Sequence, residues 1–112
     1  KTIVAKGEKR GYLVFCIPVS CEIDLKKAAN AAGDKRCELL PVKELLSVTG
    51  YIRGGCTCIG MKKQFPTVID SSARKFGKII VSGGRIGAQI IISPYDLAKA
   101  AGAEFADICL RT

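Results

Sequence analysis

Strand-like runs in this chain follow one another without a helix regularly placed between them. Thr2 to Ala5 and Tyr12 to Val19 are rich in β-branched, aromatic and aliphatic residues. They are separated by Lys6-Gly7-Glu8-Lys9-Arg10-Gly11, a polar stretch with two glycines that reads as a hairpin connection. Asp24 is placed to cap a helix in which Leu25, Ala28, Ala29 and Ala32 recur at helical spacing, with Gly33 at its C-terminal end. Arg36 to Leu39 reads as a short strand, and Pro41 suits the first position of a second helix carrying Val42, Leu45 and Leu46 and stopping near Gly50. Further on, Thr67 to Ile69 and Lys78 to Val81 read as strands on either side of a helical turn around Ser71 to Phe76. Ala88 to Ile92 reads as a buried strand. Ser93-Pro94-Tyr95-Asp96 is a helix start, with Leu97, Ala100 and Ala101 as the apolar stripe before Gly102, and Ala106 to Leu110 reads as a last strand. The order β-β-α-β-α-loop-β-β-β-α-β argues against a doubly wound parallel sheet. The expected class is α/β of the α+β kind, a mixed β-barrel or sheet with helices outside.

The chain has 112 residues, enough for one domain that buries roughly two thirds of the surface its unfolded form exposes. Eighteen Lys and Arg against ten Asp and Glu give a net charge of +8, which favours a polyanion such as RNA as partner and is equally that of a merely soluble basic protein. Six cysteines are present, but Cys16, Cys37 and Cys109 lie in apolar stretches where a free thiol packs as a small hydrophobe, so a reducing compartment, the cytoplasm, is expected. No apolar run approaches the roughly 20 residues that span a bilayer, so no membrane role is expected. The sequence opens at Lys1, already inside a strand, which suggests an upstream segment outside it. No internal repeat or low-complexity segment occurs.

The absence of histidine removes Ser-His and Cys-His nucleophile pairs and every histidine-containing zinc site. Cys56-Thr57-Cys58 has no second close-spaced ligand pair, so no metal and no cofactor are expected. Gly55 and Gly60 bracket four residues as in a phosphate-binding loop, but Met61 and Lys62 stand where that motif needs Lys and Ser or Thr. Gly84-Arg85-Ile86-Gly87 matches a KH-type clamp in letters but sits between two strands rather than two helices. Aromatic residues are too few for a single-strand stacking platform.

Three elements remain. These are Lys1-Thr2 at the head of a strand, the structured loop from Tyr51 to Lys63 with Gly54, Gly55 and Gly60, and Val81-Ser82-Gly83-Gly84. A loop of that length without periodicity is usually functional. In their order and separation, together with Asp24-Leu25-Lys26-Lys27-Ala28-Ala29, Thr49-Gly50-Tyr51 and Ser93-Pro94-Tyr95-Asp96-Leu97, they resemble the YbaK/prolyl-tRNA-editing family over essentially the whole chain. The resemblance implies one editing domain over residues 1–112, a mixed barrel-like fold, and removal of a wrong amino acid from tRNA(Pro), Cys foremost and Ala in relatives. It implies Lys1, Gly54 and Ser82 as catalytic residues and Gly55, Thr57, Gly83 and Gly84 as substrate contacts. Arg53, Lys62, Lys63 and Arg85 are the candidates for touching tRNA, and prolyl-tRNA synthetase is a candidate partner.

The residue types suit that chemistry. An aminoacyl ester is already activated, so catalysis needs chiefly a positioned attacking group and donors for the oxyanion. Glycine lets main-chain N–H groups approach substrate without a Cβ in the way. A lysine, cationic at neutral pH, grips a phosphate or an oxyanion better than it serves as a base. With no histidine, the attacking group is expected from the substrate, either the cysteinyl thiol or the terminal ribose hydroxyl. Thr57-Cys58 replaces the family's usual Ser-Pro, which keeps a hydroxyl and loses a rigid proline. Cys58 reads either as a pocket thiol or, more readily, as a filler. A non-catalytic module that binds tRNA ends or a synthetase is the alternative function. The amino acid removed and the oligomeric state are not readable from the sequence.

Overall fold

The computed structural model describes residues 1–111. Strands β1 (Thr2–Gly7) and β2 (Tyr12–Cys16) form the expected hairpin, with Thr2 opposite Cys16 and Lys6 opposite Tyr12. Its turn is held by Gly7 N–H donating to the Gly11 carbonyl at 2.6 Å and by the Asp34 carboxylate, which accepts from the backbone N–H of Lys9 and Arg10. Those bonds hold the Asp34 carboxyl below its usual range, the Arg10 N–H most of all. The second strand ends at Cys16 rather than Val19. Ile17 still exchanges hydrogen bonds with Lys1, and Pro18 then has no N–H to continue the ladder.

Helix α1 (Leu25–Ala31) starts at Asp24, whose side chain accepts from Lys26 N–H and Lys27 N–H. Its Ala28, Ala29 and the following Ala32 pack on Ala5, Leu13, Phe15, Val68 and Ile108, and small alanines let the helix lie close to the sheet. Strand β3 (Cys37–Leu39) pairs antiparallel with β1. Helix α2 (Val42–Thr49) has Pro41 at the capping position, one residue earlier than expected, and Gly50 in the left-handed conformation that ends it. Of the three apolar residues expected inside, Val42 and Leu46 are 57% and 54% exposed, and only Leu45 packs on the core.

Strand β4 (Thr67–Asp70) lies parallel to β2 and is followed by a 3-10 turn over Ser71–Lys75. Strands β5 (Ile79–Ser82) and β6 (Gln89–Ile92) make a separate two-stranded ribbon. The expectation of a buried strand here is corrected: Ile91 is 68% exposed, because the ribbon has one covered face only. Helix α3 (Pro94–Ala101) begins at Ser93, whose Oγ accepts from Asp96 N–H at 3.0 Å, and buries Pro94, Leu97 and Ala101, whereas Ala100 faces solvent. Strand β7 (Glu104–Ala106) runs parallel to β4. It lies ahead of the expected Ala106 to Leu110. Ile108 and Cys109 are fully buried, but the chain bends there toward α1, with Asp24 N–H donating to the Ile108 carbonyl, so past Ala106 strand pairing gives way to an isolated bridge of Cys109 with Ile23.

The main sheet is mixed, in the order β3-β1-β2-β4-β7, and stays open. Of the barrel and sheet alternatives, the sheet is what forms. Its two faces bury separate apolar clusters, one under α1 and one under α3, the ribbon and the loop after α2. No described helix is long and apolar enough to cross a membrane.

Candidate active site

The loop after α2 keeps its shape through a few specific bonds. Buried Thr49 donates from Oγ1 to the Leu45 carbonyl at 2.8 Å and accepts from Tyr51 N–H at 3.0 Å, which turns the chain sharply away from the helix. Lys62 N–H donates to the Thr49 carbonyl at 3.0 Å and brings the far end of the loop back to its start. Between these points Tyr51 Oη donates to the Ile59 carbonyl at 2.6 Å, and Gly55 N–H to the Ile52 carbonyl at 3.0 Å. Cys56, Thr57 and Cys58 face inward and are buried, and among the described residues Thr57 Oγ1 is a buried side-chain oxygen with no hydrogen-bond partner.

The ribbon's turn is the second element. Gly83 N–H donates to the Ala88 carbonyl at 2.8 Å, Ala88 N–H to the Arg85 carbonyl at 3.1 Å, and Gly84 N–H to Ser82 Oγ at 3.3 Å. The two elements meet directly. A Cβ built on Gly55 would stand 2.8 Å from the Arg85 Cα, a contact that only glycine permits, and one on Gly54 would touch Ile86. The structure therefore brings Gly54, Gly55, Ser82, Gly83, Gly84 and Arg85 together, with Arg53 exposed beside them.

Lys1 stands elsewhere on the same strand system. It lines an apolar cavity of about 360 Å³ with Cys16, Ile69, Phe76, Ile79 and Val81. Neither Gly54 nor Ser82 lines it, although Val81 immediately precedes Ser82, so β5 forms a wall of the cavity and then enters the glycine turn. The other two basic candidates are further from the glycine contact. The Lys62 stem packs against Gly50, where a Cβ would meet its Cγ at 3.1 Å, and Lys63 borders a different pocket of about 140 Å³ with Cys58 and Gln64.

Cys16 reads in the sequence as a packed thiol and not as a site residue. The hairpin register sets it opposite Thr2 and hence beside Lys1 at the cavity, and that register was the signal that could have found it. All six cysteines are free. Cys16 and Cys58 pack in one buried cluster, and the Cys58 thiol beside it holds the Cys16 thiol below its usual range, while the same proximity and burial push Cys58 up. Cys58 is buried and lines the small pocket beside Lys63. Asp70 also reaches the cavity. Burial works against its charge, yet bonds from Ser72 Oγ, Ile108 N–H at 3.0 Å and Arg111 outweigh burial and hold it at about 2. Among the described residues no cluster of acidic side chains and cysteines is arranged to hold a metal ion.

In a chain without histidine, a surface of glycine main chain beside one serine can offer positioned donors to an oxyanion but no histidine general base. The chain belongs to the aminoacyl-tRNA editing domain family, whose model matches residues 1–100. Membership makes it an editing enzyme, an aminoacyl-tRNA deacylase. It is 48% identical over 111 residues to EbsC of Enterococcus faecalis, assigned as a Cys-tRNA(Pro)/Cys-tRNA(Cys) deacylase, covering 99% of this chain and 68% of that protein. Over 85 residues it is 31% identical to the proline–tRNA ligase of Brachyspira hyodysenteriae, covering 76% of this chain and 15% of the ligase. A crystal structure assigned as a trans-editing enzyme for prolyl-tRNA synthetase superposes with a TM-score of 0.89 at 26% identity, over 99% of this chain and 69% of that one.

Proposed function

We propose that the chain hydrolyses mischarged tRNA(Pro) in trans, with Cys-tRNA(Pro) as favoured substrate and Ala-tRNA(Pro) as the second, and that residues 1–112 act as one editing domain of the cytoplasm. The observation that carries this reading is the direct backbone contact of Gly55 with Arg85, which joins the two glycine elements into one surface. In this reading Gly54 offers its N–H group to the carbonyl oxygen, while Gly55, whose N–H is already bonded to the Ile52 carbonyl, contacts the aminoacyl end together with Ser82, Thr57, Gly83 and Gly84. Lys1 anchors a phosphate or the developing oxyanion from the neighbouring cavity. Arg53 and Arg85 meet the acceptor strand beside the glycine surface, with Lys62 and Lys63 touching phosphates further out.

The chemistry needs no side-chain base. The attacking group, the cysteinyl thiol or a water held by the terminal ribose hydroxyl, adds to the ester carbon and gives up its proton, negative charge moves onto the carbonyl oxygen, and the ribose oxygen leaves with that proton, releasing tRNA and the amino acid as a cyclic thioester or as the free acid. Donors fixed before the reaction stabilise that charge at no cost in reorganisation. The similarity to a synthetase segment makes prolyl-tRNA synthetase the partner to test first.

The test is release of labelled amino acid from Cys-tRNA(Pro) and Ala-tRNA(Pro) by the full chain. Turnover of at least one ester above the buffer rate is expected, and Lys1→Ala, at an exposed position, should cut it by roughly a hundredfold without unfolding the protein. If neither ester turns over and Lys1→Ala merely weakens tRNA binding, the chain is a binding module instead.

A further inference from the structure

Tyr51 is the residue through which the two glycine elements touch a common side chain. It follows the α2 stop at Gly50, and its main-chain N–H is fixed by Thr49 Oγ1. Its ring lies under Gly84, where a Cβ would come within 3.3 Å of Cε1, and its hydroxyl crosses the loop to the Ile59 carbonyl at 2.6 Å. The same hydroxyl stands 3.0 Å from where a Cβ would sit on Gly60. The loop between Tyr51 and Ile59 has no ladder partners of its own, and Gly55 N–H to the Ile52 carbonyl is its one internal main-chain bond given by the fold. The direction of the remaining N–H groups is therefore set by how the loop is pinned at its ends.

We infer that Tyr51 is a positioning residue for deacylation: its hydroxyl closes the Gly54-Gly55 loop on itself and its ring holds that loop in register with Ser82-Gly83-Gly84. This rests on the reading that those two elements form the oxyanion surface. Donor placement governs such catalysis steeply, so losing the pin costs rate rather than substrate affinity. The hydroxyl is bonded to the Ile59 carbonyl and acts through the loop.

Tyr51→Phe deletes the bond to Ile59 and keeps the ring against Gly84. Tyr95→Phe, at a 60% exposed position on α3, serves as the control. In the full chain, kcat for Cys-tRNA(Pro) should fall roughly tenfold or more in Tyr51→Phe with KM changed less than about twofold, and the control should keep both. Hydrogen exchange should quicken together in residues 53–60 and 83–87 while β1, β2 and β4 keep their protection. An unchanged kcat overturns the inference. So does a loss of kcat matched by a general loss of protection, which marks an ordinary stabilising residue, and so does faster exchange confined to 53–60, which shows that the two elements are not coupled. If the wild type itself fails to hydrolyse the ester, the deacylase reading falls, and the exchange pattern alone still decides whether Tyr51 couples the elements.

Discussion

The two faces of the central sheet are covered differently, one by α1 and the other by α3 together with irregular loop and ribbon. On one, α1 lies flat and Leu13, Phe15, Ala5, Ala28 and Ile108 reach zero exposure. On the other, Val14 and Leu97 are equally closed off, but around them Tyr51, Ile59, Ile79 and Val81 are only partly covered, by irregular loop and ribbon. The difference matters chemically. A helix uses its N–H groups on its own carbonyls, so the α1 face can offer packing and little else. A loop leaves N–H groups free to point at a ligand, and the glycines allow it to come near one. One face supplies stability and the other keeps donors uncommitted.

The sharpest way to break this contrast is Phe15→Ala. Loss of a fully buried aromatic under α1 should cost about 3–5 kcal/mol in urea unfolding. A loss below about 1 kcal/mol would show that the helix-covered face is not where stability resides.

Asp70 joins the two sides, since it accepts from Ile108 N–H and also reaches the cavity. Its folded pKa is depressed from 3.8 to about 2, so its contribution is present above the unfolded value and is lost as pH falls toward 2. The expected loss is about 2 kcal/mol, and Asp70→Asn should remove most of the slope of unfolding free energy between those pH values. An unaltered slope in the variant would place the acid sensitivity in other carboxylates.

The smallest effect belongs to the ribbon's outer surface. Ile91→Thr, at a 68% exposed position, should change stability by no more than about 0.5 kcal/mol. A larger loss in the same urea titration would show that this side of the ribbon is covered and would narrow the contrast.

Much of this was legible where the signal is local. Asp24, Gly50 and Ser93-Pro94 mark helix ends by their own hydrogen-bonding and torsional preferences, and the first hairpin follows from glycine-bearing polar residues between two apolar runs. What failed depended on distant chain. The apolar run through Ile90 and Ile91 cannot itself report whether one face or two will be covered. Ile108 and Cys109 are buried as their character demands, yet strand pairing passes to Glu104–Ala106 because β4 lies alongside those residues. At the site, the glycine elements could be named from sequence, but their contact through Gly55 and Arg85 could not, and Cys16 comes beside Lys1 only once the hairpin register is assigned.

The outermost strands carry a further consequence. An open sheet presents unpaired N–H and C=O groups along both margins, an invitation to cross-β association in a chain this rich in aliphatic residues. Here β3 and β7 are three residues long, and each carries an exposed glutamate, Glu38 and Glu104. A foreign strand that docked there would gain few ladder bonds and meet a like charge if it came from another copy of the same margin. The shortness of those strands thus acts as protection against aggregation.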